Sequence, residues 1–187
     1  VLIVDEIYQG LVYDRPHETA LAVADDIFLV NSFSKFFQMT GWRLGWLVAP
    51  AEHVPALEKL AQNLFLAAPT PAQYAALAAF HPQTLALLEQ RRQILDHRRT
   101  CLAALLAELG FVLPAQSQGA FYLWADTRNL TGDAAAFAER LLQEQGIAIT
   151  PGLDFGVDAR CRHFLRFAYT CDIATLQTAA ERIRKTL

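Results

Sequence analysis

Apolar residues run unbroken in three places within the first fifty positions, then fall at helical intervals. The unbroken runs are Val1-Leu2-Ile3-Val4, Ile27-Phe28-Leu29-Val30 and Leu44-Gly45-Trp46-Leu47-Val48-Ala49. Runs without alternation are the pattern of strands covered on both faces, so the three predict the core of a mixed or parallel sheet. Leu11–His17, with Pro16, predicts a loop between the first two. From Ala51 to about Leu66, the residues Val54, Leu57, Leu60, Ala61 and Leu64 recur at helix spacing. Ala67-Ala68-Pro69-Thr70-Pro71 breaks that helix. Thr70 is placed to cap the next, Ala72 to about Phe80, with Pro71 at its first position. A long helix follows from about Thr84 to Leu109, its apolar face built from Leu88, Ile94, Leu95, Leu102, Leu105, Leu106 and Leu109, and Gly110 ends it. Beyond Gly110 the segments shorten. Phe111–Leu113, Ala120–Trp124, Ile147–Ile149 and Phe164–Tyr169 read as strands. Asp133–Glu144, with Ala136, Phe137, Leu141 and Leu142 inward, and Asp172 to the end, with Ile173, Leu176, Ala180 and Ile183 inward, read as helices. That mixture predicts a small α+β domain.

Composition narrows the classes. The 187 residues are 53% hydrophobic and 19% charged, enough for a sizeable core and unlike a disordered chain. The formal net charge of -3 argues against a general nucleic-acid surface. Arg91, Arg92, Arg98 and Arg99 form a basic run, but Glu89, Asp96 and Glu108 offset it, so it reads as a solvated helix face. Cys101, Cys161 and Cys171 are odd in number and widely spaced, which fits a reducing cytoplasm better than disulfides or zinc. The histidines show no metal-ligand spacing, and no run approaches the length of a membrane span. A strand as apolar as Val1–Val4 needs neighbours to cover it, so the chain is expected to be the C-terminal part of a longer protein.

The candidate chemistry lies at strand ends. Asp5-Glu6-Ile7-Tyr8 follows the first strand, where ligands sit in open α/β sheets. Ser32-Phe33-Ser34-Lys35 follows the second, and Arg43 comes shortly after, flanked by Gly41 and Gly45. Two cations and two hydroxyls on a Gly-bearing turn suit a phosphate and an electrophilic carbonyl; alone they are equally an ordinary surface turn. Arg166, between Leu165 and Phe167, needs a partner if buried. Arg160 and Arg162 sit in a polar loop and are weaker candidates.

In order and approximate separation, Asp5-Glu6-Ile7-Tyr8, Ser32-Phe33-Ser34-Lys35, Gly41-Trp42-Arg43-Leu44-Gly45 and Arg166 in Phe164-Leu165-Arg166-Phe167 resemble the class I/II (fold type I) pyridoxal-phosphate-dependent aminotransferases. Gly119-Ala120-Phe121-Tyr122 and Pro151-Gly152-Leu153-Asp154-Phe155 are also similar to that family, and the resemblance spans the whole chain. It implies an α/β fold: residues 1–81 as the C-terminal part of a mostly parallel cofactor-binding domain, 82–109 as a connecting helix, and 110–187 as the small α+β domain. It implies that Lys35 forms the internal Schiff base with pyridoxal phosphate and then moves the substrate Cα proton. Asp5 would pair with the pyridine nitrogen and Tyr8 with the phenolic oxygen. Ser32 and Arg43, with Ser34, would hold the phosphate. Arg166 would take the substrate α-carboxylate, and Gly119–Tyr122 and Pro151-Gly152 would wall the pocket. The implied partners are an amino acid, a 2-oxo acid and a second copy of the protein, with no nucleic acid and no membrane, in the cytoplasm. Further cofactor contacts are expected before Asp5, so the chain alone should bind pyridoxal phosphate poorly. The apolar Leu64–Pro69 segment weakly disfavours one route to dicarboxylate recognition. The same motifs also suit an aminotransferase-like effector domain of a transcription regulator, or a lyase on the same fold.

Overall fold

Three short strands form the first sheet of the computed structural model, which describes residues 1–187. Strand β1 (Ile3–Asp5) lies parallel to β2 (Phe28–Ser32), and β3 (Gly45–Val48) is antiparallel to β2, giving the order β1-β2-β3. The sheet is mixed, and its apolar runs are covered only in part from within this chain. Leu29 is buried, but Ile3 is 67% and Leu47 45% exposed. Helix α1 (Val54–Leu64) likewise buries none of its residues.

Helix α2 (Thr70–Ala79) begins differently from the sequence expectation. Pro69 is its N-cap and the Thr70 hydroxyl caps nothing. Thr70 already lies inside the helix, whereas a capping side chain must sit just outside it. Ala76 and Ala79 of α2 pack on Phe33 and Met39, so the helix supports the loop that carries Lys35.

The chain divides into two compact units, Val1–Arg92 and Gln93–Leu187. The division falls inside the long helix α3 (Pro82–Glu108) rather than at either of its ends. Gly110, at φ +90, ends α3 as predicted, and the Phe111 N–H returns to the Leu106 carbonyl. The basic run on α3 is a solvated face only in part: Arg91 is exposed, Arg92 and Arg98 are half-buried and Arg99 is buried. Arg92 forks onto the Glu89 carboxylate at 2.8 and 2.7 Å and donates to the Val12 carbonyl at 2.8 Å. Arg99, buried, pairs with Asp96 and donates to the Ser117 carbonyl. Arg91 donates to the Gln38 side chain and Arg98 to the Thr170 carbonyl. A guanidinium has enough donors to take an acid three residues away and a loop carbonyl as well, so these arginines tie loops to the helix.

In the second unit, β4 (Tyr122–Asp126), β5 (Thr150–Pro151) and β6 (Phe164–Ala168) form an antiparallel sheet in the order β4-β6-β5. Phe111–Leu113 contributes only one bridge, Val112 to Asp126. Ile147–Ile149 is not a strand: the Ile147 N–H closes the end of helix α4 (Ala134–Gln145) on the Leu141 carbonyl and is lost to a ladder. Asp133 caps α4, and Ala134, Phe137, Ala138 and Leu141 are its buried residues; Ala136 and Leu142 face outward. Asp172 caps helix α5 (Ile173–Arg184), which buries Leu176, Ala180 and Ile183. No helix is long and apolar enough to cross a membrane.

Asp126, at the end of β4 and buried, ties this sheet to the following turn. Its carboxylate accepts from the Arg128 side chain and backbone, and those bonds hold its pKa below the ordinary carboxylate value. The stabilisation is therefore complete above the unfolded pKa and is lost as pH falls through the folded one. Asp126→Asn is expected to lower the melting temperature at pH ~7 and to flatten its decline toward pH ~3. A decline as steep as wild type would remove Asp126 from the acid response.

Candidate functional site

Parallel pairing brings the carboxyl ends of β1 and β2 together, with Asp5 beside Val30. Asp5 turns the chain by accepting from the Ile7 N–H at 3.0 Å through one carboxylate oxygen; the other is uncommitted and the side chain is exposed. Glu6, which the sequence reading passed over, is buried. Its N–H donates to the Val30 carbonyl at 2.8 Å and its carboxylate accepts from the Ala20 N–H at 2.6 Å, which fixes the exit from β1. Tyr8 follows, and the Lys35 Nζ stands 5.9 Å from its ring centroid. The two strand-end motifs therefore meet at a lysine and a tyrosine.

The Lys35 loop is held from several sides. The Ser32 Oγ accepts from the Ser34 N–H at 3.0 Å and lies 2.9 Å from the Ser34 Oγ and 3.1 Å from the Leu44 carbonyl. The Thr40 hydroxyl donates to the Ser34 carbonyl at 2.7 Å. Behind the loop, the Phe33 ring contacts Phe37, Trp46 and Phe80 at centroid distances of 4.9, 5.2 and 5.8 Å. Ser34 is buried and Ser32 is partly exposed. Arg43 follows a short turn (Thr40–Trp42) in the left-handed region, φ 52, and its Nη1 donates to the Thr40 carbonyl at 2.8 Å. No acid pairs with it, so most of its donors remain available.

Gly45 faces Ser32 across the β2–β3 pair, and a Cβ there would stand 2.6 Å from the Asn31 carbonyl oxygen. Backbone cannot yield as a flexible side chain does. Gly45→Ala is expected to cost about 1–3 kcal/mol of stability and to displace the Ser32 end of β2. Thermal melting checks the first effect, and cofactor retention after dialysis checks the second.

The donor set fits a phosphorylated pyridine aldehyde. It holds one amine (Lys35), one carboxylate with a free oxygen (Asp5), one phenol (Tyr8), two hydroxyls and one guanidinium, on loops leaving the same end of one sheet.

Arg166 belongs to the second unit. It is partly buried on β6, opposite Trp124 of β4 and Thr150 of β5, and makes no ion pair with any acid of the chain. Its Cζ lies 4.1 Å from the Tyr122 ring centroid and 4.4 Å from that of Phe155. Arg160, by contrast, is exposed and forks onto Asp158, and its side chain holds the Asp158 pKa down to about 2. Arg162 is exposed. Gly152 is buried with no room for a Cβ against the Cys161 and Phe164 carbonyls, which is a packing reason for the Pro151-Gly152 turn. The apolar segment Leu64–Leu66 is exposed.

A family model described as aminotransferase class I and II matches residues 1–183. The chain belongs to the class I and II aminotransferase family. That family is pyridoxal-phosphate-dependent. The chain is 38% identical over 184 residues to a valine–pyruvate aminotransferase of Mycobacterium tuberculosis, covering 97% of this chain and 47% of that protein. It is 35% identical to a (5-formylfuran-3-yl)methyl phosphate transaminase of Methanocaldococcus jannaschii, over the whole chain and 50% of the relative. A crystal structure of an aminotransferase from Mycobacterium tuberculosis superposes with a TM-score of 0.94 at 37% identity, covering 100% of this chain and 48% of the other. This aminotransferase chain thus spans about half the length of the relatives it matches.

Proposed function

We propose that the chain is the C-terminal portion of a homodimeric aminotransferase that moves an amino group between an amino acid and a 2-oxo acid. The observation that carries this reading is the meeting of Lys35 with Tyr8, 5.9 Å from Nζ to ring centroid, beside Asp5 and the Ser32–Ser34 hydroxyls. Pyridoxal phosphate supplies an aldehyde and an electron-accepting ring when bound. Lys35 would supply the amine that anchors the aldehyde and, with the substrate amine in its place, would act as the base at the substrate Cα. Asp5 offers its uncommitted oxygen to the pyridine N–H, which keeps that nitrogen protonated. The Tyr8 hydroxyl donates to the phenolic oxygen. Ser32, Ser34 and Arg43 donate to the phosphate, the guanidinium with charge-assisted bonds. Arg166 takes the substrate α-carboxylate; its lack of an acid partner supports that role.

The test is nitrogen transfer in the full-length protein. A panel of nitrogen-15-labelled L-amino acids is incubated with pyruvate or 2-oxoglutarate in the presence of pyridoxal phosphate. Label is expected in the amino acid formed from the 2-oxo acid. Label released as ammonia without a new amino acid would overturn the transferase reading in favour of a lyase.

A further inference from the structure

Arg166 is held by rings where several other arginines of the chain are held by acids. Arg92, Arg99, Arg128 and Arg160 each take a carboxylate. The Arg166 side chain takes none and makes no hydrogen bond within the chain; its ring contacts are Tyr122 at 4.1 Å and Phe155 at 4.4 Å. The β register explains Tyr122. Trp124 lies directly opposite Arg166, and Tyr122, two residues earlier on β4, projects from the same face on the diagonal. Phe155 arrives from the other direction, after the Gly152–Asp154 turn. The guanidinium carbon thus lies within contact distance of two rings brought in by different segments of the chain.

Both rings are themselves braced. The Phe121 ring sits 4.5 Å from Tyr122. Trp124 meets Phe155 edge-on at 5.6 Å and stacks on Phe164 at 5.4 Å. A guanidinium between fixed rings keeps its charge and loses its freedom to rotate. A ring at this distance is best met by the flat side of a guanidinium, which leaves the N–H donors along its edge for a ligand. A planar carboxylate meets such an edge with two parallel bonds, provided that the plane is held still.

We propose that Tyr122 and Phe155 are positioning residues that clamp the Arg166 plane so that its edge is preset for the substrate carboxylate. This rests on the reading of Arg166 as the carboxylate site. Phe155 is 51% exposed, so it can be changed with little disturbance of the core.

The experiment uses the full-length enzyme with pyridoxal phosphate and the L-amino acid that reacts fastest in the panel above. Phe155→Leu is expected to raise KM about 3- to 30-fold, the worth of one partly desolvated cation–π contact, with kcat within about 2-fold. Phe155→Tyr restores a ring and is expected to restore KM. Tyr122→Phe is expected to keep KM, because the ring and not the hydroxyl covers Arg166. Phe155→Leu added to Arg166→Ala is expected to do nothing further to KM, since the group it positions is gone. A second readout is independent of turnover. The Nε–H signal of Arg166 in a nitrogen-15 spectrum, identified by its loss in Arg166→Ala, is expected to be rigid in wild type and mobile in Phe155→Leu.

If Phe155→Leu leaves both KM and the rigidity of that signal unchanged while Arg166→Ala raises KM, the clamp is overturned and the carboxylate reading stands. If Arg166→Ala itself leaves KM unchanged, the carboxylate reading falls and the clamp falls with it. An equal rise in KM from Phe155→Leu in the wild-type and Arg166→Ala backgrounds would also overturn the clamp, because Phe155 would then touch substrate by itself.

Discussion

Replacing Lys35 with alanine in the full-length protein is expected to lower kcat by at least about 10³-fold, the upper range for loss of a positioned acid–base group and here compounded by loss of the covalent anchor. The fold should survive. The Lys35 loop is held by Phe33 packed against Phe37, Trp46 and Phe80, by the Thr40 hydroxyl on the Ser34 carbonyl, and by the Ser32 Oγ on the Ser34 N–H. None of these needs the lysine side chain, whose Nζ stands 5.9 Å from the Tyr8 ring centroid. The variant should therefore melt close to wild type and still hold the cofactor phosphate through Ser32, Ser34 and Arg43. Borohydride should no longer fix the cofactor to the protein. The measurements are turnover, melting temperature and mass after borohydride treatment. Normal turnover, or a borohydride adduct still formed at wild-type yield, would move the anchoring role to another lysine.

Arg166→Ala is expected to raise the KM for the amino acid about 30- to 1000-fold, the range for removing one partner of a desolvated, hydrogen-bonded charge pair. Cofactor affinity should hold, because the proposed phosphate donors lie on the Ser32–Arg43 segment of the other unit. Some stability should go as well, about 1–2 kcal/mol, since two ring contacts at 4.1 and 4.4 Å leave with the guanidinium. Arg166→Lys separates charge from shape. It keeps the cation but has no planar fork for a carboxylate and no flat face for the rings, so it should recover only part of the lost KM. A fall in cofactor affinity with unchanged KM would assign Arg166 to another role.

The sequence carried the family further than it carried the fold. Asp5, Tyr8, Ser32, Lys35, Arg43 and Arg166 stand in an order that marks a family, because chemistry demands particular side chains and tolerates few substitutes. Element boundaries were legible where a local signal exists. Asp133 and Asp172 cap their helices, and Gly110 and Gly146 end theirs in the left-handed region. Thr70 misled because a threonine before a proline reads as a cap whether or not the helix has already begun at that residue. Ile147–Ile149 misled because three apolar residues have no period, and a neighbouring helix claimed the N–H they needed. The arginine run on α3 misled because charge spacing does not say which loop carbonyl lies within reach.

By itself, then, the sequence determined the family to which the chain belongs and several of its helix ends, since caps and terminators depend on residues close together in the chain. Tertiary structure alone decided which groups meet. Parallel pairing of β1 with β2 set Lys35 over Tyr8, though a whole loop separates them. Antiparallel pairing of β4 with β6 put Tyr122 on the face of Arg166, and the turn after β5 brought Phe155 to it. Such contacts arise from strand register and loop path, which are set by burial and hydrogen bonding across the fold and leave no local periodic signal.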